Sequence, residues 1–163
     1  MRRPFDLAVQ EHGPVVLRVC RGMLGPHDAQ DAWAETFLSA LRAWPDLDDT
    51  ADVRAWLVTI AHHRSVDVVR ARARRPVAAG RLGDLDAASP TADGPDVEDE
   101  HLLGLVRALP PKQRSAVVCR YLADLSYEDV AAVSGTSLVA ARRNAADGIA
   151  SLRRSYRPEE DDR

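Results

Sequence analysis

The amino-acid sequence predicts an all-α protein of two small helical domains joined by a flexible linker, the second domain ending in a helix-turn-helix. Over most of the 163 residues, apolar side chains recur at the three- and four-residue spacing of helices. No stretch of the sequence alternates apolar and polar residues for long enough to indicate a sheet. A segment rich in Ala, Asp, Ser, Gly and Pro interrupts the helical spacing near the middle. The length is sufficient for two small cores, each with limited stability of its own.

Three helices are predicted before the interruption. Gly25-Pro26 ends the first, and Asp28 is expected to be the N-cap of the second, which stops near Pro45. Pro76 ends the third. The apolar residues assigned to their buried faces are Val15, Val16, Val19, Cys20 and Met23 in the first, Ala32, Trp33, Phe37, Leu38 and Leu41 in the second, and Val53, Trp56, Leu57, Ile60 and Ala61 in the third.

The interruption sets the predicted domain boundaries. Residues 76–99 carry several Gly and Pro residues and little that can be buried, so they are assigned to the flexible linker. The first domain then covers residues 1–75 and the second covers residues 100–157. The last residues, 158–163, form an acidic tail.

Helical spacing resumes after the linker, and the last two helices form the most specific local pattern. Pro110-Pro111 opens one helix, and Ser126 is expected to cap the next in a capping box with Asp129. Gly135 makes a tight turn, and Ser137 caps the final helix, as in a helix-turn-helix. The buried face of that helix is predicted to hold Leu138, Ala141, Ala145, Ile149 and Leu152. Its outer face presents Val139, Arg142, Arg143 and Ala146, where a recognition helix meets the major groove.

The formal net charge of −3 conceals strong segregation of charge along the chain. Residues 28–52 are acidic, whereas the third predicted helix gathers arginines towards its end. Electrostatic fields act over about 8 Å at cellular ionic strength. Local charged patches therefore influence binding more than the net charge of the chain does. One side of the third helix carries His63, Asp67, Arg70 and Arg74, opposite Trp56 and Ile60, and could hold a DNA backbone. Solvated helix faces remain the alternative interpretation.

Several kinds of site are not predicted. His62 and His63 point apart on a helix without a third ligand nearby, so no metal site is expected, and Cys20 and Cys119 are expected to be buried thiols. The sequence has no Gly-rich phosphate loop and no nucleophile–base pair, so neither catalysis nor a cofactor is expected. It has no apolar run of transmembrane length and no apolar signal core at its N-terminus. A cytoplasmic protein without membrane insertion is therefore predicted.

Two segments of the chain resemble the extracytoplasmic-function (ECF) sigma factors of bacterial RNA polymerase. The first contains DAQDAWAETFL, from Asp28, and VRAWLVTIAHHRSVD, from Val53. The second contains ALPPKQR, from Ala108, and RYLADLSYEDVA, from Arg120. The resemblance covers about residues 7–75 and 100–155. It implies a non-enzymatic subunit that binds core RNA polymerase and promoter DNA, with an anti-sigma factor as a candidate further partner.

The resemblance also implies roles for individual residues. Those matching the polymerase-binding helix are Asp28, Asp31, Glu35, Thr36 and Phe37. Those matching the helix that faces the −10 element are Arg54, Trp56, Thr59, Arg64, Asp67 and Arg70, to which the DNA-facing side of the helix adds His63. Those on the helix matching the −35 reader are Ser137, Val139, Ala140, Arg142, Arg143 and Asn144.

The sequence departs from the family pattern at a few of these positions. Ala34 replaces a glutamine usual in the polymerase-binding motif, and Asn144 and Asp147 stand where basic residues are common. The loss of positive charge is expected to weaken phosphate contacts by the last helix. Two other classes of function stay open at this point. One is a stand-alone helix-turn-helix regulator, which would leave the first domain without a task; the other is a helical adaptor that binds only protein.

Overall fold

The computed structural model describes residues 3–75 and 97–156, and every regular element within these two ranges is helical. The all-α prediction is therefore confirmed. Most of the predicted linker and all of residues 158–163 lie outside the described residues. The linker prediction reached residue 99, whereas helix α4 already begins at Val97.

Helices α1, Phe5–Leu24, and α2, Pro26–Ala43, meet at a single residue, Gly25. Gly25 has φ 94°, a conformation that L-residues with side chains rarely adopt, so the chain can reverse there without a longer loop. Pro26 occupies the first turn of α2. Backbone N–H groups in a first turn have no acceptor within the helix, so the missing N–H of proline costs no hydrogen bond there. The prediction that Asp28 caps α2 is therefore wrong, because Asp28 lies inside the first turn and forms an ion pair with Arg72.

Helix α3, Val53–Ala73, follows a short 3₁₀ turn at Trp44–Asp46 and an irregular loop. Asp52 is its N-cap, since Oδ1 of Asp52 accepts a hydrogen bond of 3.1 Å from the backbone N–H of Ala55. The helix ends shortly before Pro76, as predicted.

Residues 97–156 contain four α-helices: α4, Val97–Arg107; α5, Pro111–Val117; α6, Tyr127–Ser134; and α7, Leu138–Ser155. A π-helical turn, Val118–Leu122, continues directly from α5. The predicted N-cap roles of Ser126 and Ser137 are confirmed, because Ser126 Oγ accepts from the N–H of Asp129 and Ser137 Oγ from that of Ala140, each at 3.1 Å. Gly135 adopts the left-handed conformation, with φ 66° and ψ 34°, and ends α6.

The two helical domains pack against each other, and their buried residues form one continuous hydrophobic core. Helix α1 packs against α2 and α3 on one side and against α4 and the π-helical turn on another. The halves approach closely at Gly22, where an added Cβ would lie 2.8 Å from Leu122 Cδ1 and 3.0 Å from Val118 Cγ2. Arg107 reinforces the contact by donating a hydrogen bond of 2.9 Å to the carbonyl of Arg21.

The predicted buried faces are correct in part. Most positions of the first helix stripe are buried, and so are Leu57 and Ala61 of α3. Leu138, in the first turn of α7, is 37% exposed, contrary to prediction. Gly148 was not predicted to be buried, but it is buried where α7 packs against α5. Cys20 and Cys119 are buried free thiols, as predicted, and burial raises the pKa of each to about 12.

The close crossing of α5 and α7 gives a test of the packing. A Cβ at Gly148 would lie 2.5 Å from Val117 Cγ2, so Gly148→Ala should lower the free energy of unfolding by about 1–3 kcal/mol despite the better helix propensity of alanine. Gly104→Ala in α4 is the matched control, because the nearest atom, Arg107 Nη2, is at an ordinary 3.6 Å. The control should gain up to about 1 kcal/mol. Equal effects of the two substitutions in urea unfolding would contradict this packing.

Candidate protein and nucleic-acid interfaces

One side of α2 combines two acids with two exposed leucines. Asp31 and Glu35 are exposed, and Leu38 and Leu41 continue the same side at 55% and 51% exposure. The prediction that both leucines are buried is therefore wrong, since α2 buries Ala29, Ala32, Thr36, Phe37 and Ala40 instead. Asp31, Glu35, Leu38 and Leu41 are called the α2 face below. Adjacent exposed apolar side chains rimmed by charge are typical of a protein-binding surface.

Of the other residues assigned to polymerase binding, Thr36 and Phe37 are buried, and Asp28 is half-buried. Thr36 is fully buried, and its Oγ1 donates a hydrogen bond of 2.7 Å to the carbonyl of Ala32. Phe37 is buried against Trp33, with ring centroids 4.7 Å apart. Asp28 is held by its ion pair with Arg72. Thr36 and Phe37 therefore support the helix from within, and assigning them direct contacts with a partner is not consistent with their burial.

Helix α3 exposes a polar side that contains several of the predicted −10 residues. His63, Asp67 and Arg70 are exposed or half-exposed along it, and these three residues are called the α3 face. Arg64 is also exposed, and its Nη2 donates a hydrogen bond of 2.7 Å to Ser39 Oγ of α2. The structure thus brings this part of the predicted site together on one surface.

The remaining predicted −10 residues, at the start of α3, are only half-buried and already have partners. Arg54 forms an ion pair with Asp124, with Nη1 and Oδ2 3.8 Å apart. Trp56 packs against Trp44, with ring centroids 6.1 Å apart. The Thr59 hydroxyl donates a hydrogen bond of 2.7 Å to the carbonyl of Ala55. Trp56 is therefore placed for packing, as its position on the apolar stripe predicted.

The neighbouring histidines of α3 have opposite environments. His63 is exposed, whereas His62 is 5% exposed and shares a hydrogen bond of 2.8 Å between its Nε2 and Oγ of Ser115 in α5. Burial lowers the pKa of His62 to about 4, and the nearby His63 adds to this effect, so His62 is neutral near pH 7. No cluster of three potential metal ligands occurs among the described residues. From the sequence, His62 was considered only as a possible metal ligand. Its hydrogen bond with Ser115 was not predicted, because Ser115 lies 53 residues away along the chain.

The outer side of α7 is exposed, as a recognition helix requires. Val139 is 76% exposed and both Arg142 and Arg143 are exposed, whereas Ala140 and Asn144 are half-buried. The Arg142 guanidinium lies 5.5 Å from the centroid of the Tyr127 ring, so α6 helps to position it. Arg143 has Asp147 one turn away, with Nε and Oδ2 3.9 Å apart. Part of the positive charge of Arg143 is thereby offset.

The α3 face and α7 border the same cleft. The α3 face lies on one side, and Asn144 of α7 lies across from it with Lys112 and Thr136, around a cavity of about 630 Å³. A second cleft, of about 660 Å³, lies between the loop before α3 and the turn before α6. It is lined by several acids, among them Asp52, Asp124 and Asp129, and therefore does not suit a phosphate backbone. Of the predicted −35 residues, Asn144 lines the first cleft, whereas Val139, Arg142 and Arg143 do not.

Comparison with known families places the two halves of the chain in one family of transcription proteins. The family model described as Sigma-70 region 2 matches residues 8–75, and the one described as Sigma-70, region 4 matches residues 100–152. The chain is 33% identical over 129 residues to the RNA polymerase sigma factor CarQ of Myxococcus xanthus, which covers 77% of this chain and 72% of CarQ. It is 30% identical over 158 residues to the ECF RNA polymerase sigma factor SigE of Mycolicibacterium smegmatis, which covers 91% of this chain but only 60% of SigE.

Solved structures share the fold. The sigma factor RpoE of Bartonella quintana, in complex with the anti-sigma factor NepR, superposes with a TM-score of 0.73 at 21% identity, covering 92% of this chain and 94% of RpoE. CnrH, in complex with the cytosolic domain of CnrY, gives a TM-score of 0.69 at 24% identity, covering 93% of this chain and 86% of CnrH. At these identities the likeness concerns the fold alone. Within the two described ranges, no helix is long and apolar enough to cross a membrane.

Proposed function

Because this chain belongs to the sigma-70 family and is an ECF sigma factor, which directs RNA polymerase to promoters, we propose specific roles for its exposed surfaces. The α2 face binds core polymerase, the α3 face meets the −10 element, and the outer side of α7 reads the −35 element. The observation that carries this proposal is the exposure of all three surfaces on helices within the matched regions. The first domain then corresponds to polymerase and −10 binding, and the second to −35 binding.

The α2 face is suited to a protein partner. Leu38 and Leu41 each expose about half of their surface on a helix whose opposite side is fully packed, so covering them with a partner removes apolar area from water. Asp31 and Glu35 add negative charge beside the leucines, which favours a basic partner surface and speeds encounter. Ala34 is a small residue on the same helix and leaves room for close approach.

The α3 face and α7 are suited to DNA for different reasons. Arg70 and His63 offer donors to a phosphate backbone or to unpaired bases, and neither side chain forms an ion pair within the described residues that would first have to break. On α7, Val139 can contact a thymine methyl group, while Arg142 can pair with guanine or phosphate. Asp147 opposes phosphate binding by Arg143, so Arg142 carries the larger share of the contact.

The proposed role of this chain includes no catalysis. Its family consists of regulatory DNA-binding proteins, and the polymerase performs the chemistry, so neither cofactor nor metal belongs to this chain. The same reasoning favours the cytoplasm, where polymerase and promoter DNA are found. An anti-sigma factor is proposed as a further partner, since RpoE and CnrH were each solved with a partner protein. A stand-alone helix-turn-helix regulator is not favoured, because Sigma-70 region 2 matches residues 8–75.

Polymerase binding can be tested by changing the α2 face without disturbing the core. Leu38→Ser with Leu41→Ser, and separately Asp31→Lys with Glu35→Lys, should each lower the affinity for core polymerase by at least about tenfold, because exposed anchors of an interface cost about 1–2 kcal/mol or more when removed. Co-elution with core polymerase and fluorescence titration measure the effect.

The control for charge is Asp6→Lys with Glu11→Lys, which makes the same charge change on exposed positions of α1. This control should bind as the wild type does. All variants should keep the wild-type melting temperature within a few degrees, because the substituted side chains are exposed. Wild-type affinity in both α2 variants would place the polymerase interface elsewhere on the chain.

DNA binding by α7 can be tested with two pairs of arginines from the same helix. Arg142→Ala with Arg143→Ala should weaken promoter binding by the holoenzyme and reduce its salt dependence by about one unit for each phosphate that is no longer neutralised. Arg153→Ala with Arg154→Ala removes the same charge from the far end of α7 and should leave both quantities nearly unchanged. The measurement is the promoter affinity of holoenzyme that contains wild type or either variant, at two salt concentrations. The same response from both pairs would show a general charge effect in place of a reading surface.

A further inference from the structure

The cleft bordered by the α3 face is lined by residues whose buried polar atoms have no hydrogen-bond partner in the described parts of the chain. These atoms are His62 Nδ1, Ser134 Oγ and Thr136 Oγ1. His62 is 5% exposed and uses Nε2 for its hydrogen bond with Ser115, so Nδ1 is the ring nitrogen that remains. A buried polar group without a partner is unfavourable, so three such groups around one cleft indicate that they bond to something held in the cleft.

The charged side chains of this cleft favour an anion. Two cations, Arg70 of α3 and Lys112 of α5, line it together with one acid, Asp67. The hydroxyls of Ser134 and Thr136 can donate hydrogen bonds to an anion as well. A phosphate group fits this set of donors, because its terminal oxygens accept hydrogen bonds from several directions and its charge strengthens each of them.

The size and the apolar part of the cleft point to a ligand larger than a bare phosphate. Its volume of about 630 Å³ lies within the range of about 300–1,000 Å³ that is usual for sites of small organic molecules. Val66, Ala116 and Val133 add apolar side chains to its walls. The three polar atoms are buried, so a ligand has to enter the cleft to reach them. A small molecule can do this, whereas a DNA duplex cannot.

We propose that this cleft binds a small organic molecule that carries a phosphate monoester. Ser134 and Thr136 donate hydrogen bonds to the phosphate oxygens, and Lys112 and Arg70 balance the phosphate charge. The apolar walls cover the organic part of the ligand and remove it from water. The site goes beyond the proposed function of the chain, and Arg70 is the one side chain used here that also belongs to the α3 face.

Titration calorimetry of the purified full chain tests the proposal with three probes. Phenyl phosphate carries both parts of the predicted ligand, inorganic phosphate carries the anion alone, and phenol carries the ring alone. Phenyl phosphate should bind saturably to one site, at least about tenfold more tightly than inorganic phosphate, because its ring adds buried apolar area. Phenol should not bind saturably. Absence of saturable binding by phenyl phosphate, or equal affinity for phenol, would overturn the proposal.

Removal of the two hydroxyls tests whether they face the ligand. Ser134→Ala with Thr136→Val keeps the side-chain shapes and should weaken phenyl phosphate binding at least about tenfold. The melting temperature of the ligand-free variant should not fall, because neither hydroxyl has a partner to lose within the described residues. Thr50→Val with Ser155→Ala removes two exposed hydroxyls outside the cleft and should bind the probe as the wild type does. Unchanged affinity of the cleft variant, or a lower melting temperature, would contradict the assignment of these hydroxyls to a ligand.

Two further measurements on the free chain test the charge and the source of the phosphate. Lys112→Gln should weaken phenyl phosphate binding severalfold, whereas Arg18→Gln, at an exposed position of α1 outside the cleft, should not. A short DNA duplex of unrelated sequence should not displace phenyl phosphate. Displacement would identify the DNA backbone as the source of the phosphate and overturn the small-molecule site. None of these measurements involves polymerase or a promoter, so failure of the site leaves the proposed function standing, and failure of the function leaves the site standing.

Discussion

Helix α1 is packed on two sides, and this packing holds the other helices in place. This helix contacts α2 and α3 on one side and α4 and the π-helical turn on another, so it joins the two halves of the chain into one core. Gly22 favours the second contact, since a Cβ there would lie 2.8 Å from Leu122 Cδ1 and 3.0 Å from Val118 Cγ2. Small domains bury little apolar surface alone, so sharing a helix lets both halves stabilise each other.

The surfaces proposed for function lie on helices whose other sides are held by this core. Helix α2 packs its small residues inward and leaves Leu38 and Leu41 outside, while α7 packs Ala141 and Ala145 inward and leaves its arginines outside. Rigid helices thereby fix the positions of the binding side chains. The same packing places the α3 face and Asn144 of α7 around one cleft.

Local features were predictable from the sequence, whereas features that depend on distant residues were not. Ser126, Gly135 and Ser137 have the predicted capping and turn roles because those roles involve only residues within one helical turn. The burial of His62 was not predicted, because its partner Ser115 belongs to the other half of the chain. Leu38 and Leu41 were assigned to the core because apolar spacing alone does not distinguish a packed stripe from an exposed interface. The individual contacts with polymerase and DNA stay predictions.

Site-specific photocrosslinking within one holoenzyme–promoter complex tests whether the α2 face contacts polymerase and α7 contacts DNA. A photoreactive residue at position 41 replaces an exposed leucine of the α2 face, and one at position 139 replaces the most exposed large apolar residue of α7. We expect the probe at position 41 to crosslink to a polymerase subunit and the probe at position 139 to crosslink to promoter DNA near the −35 element. Crosslinking of both probes to polymerase alone, or of the α2 probe to DNA, would contradict the assignment of these two surfaces.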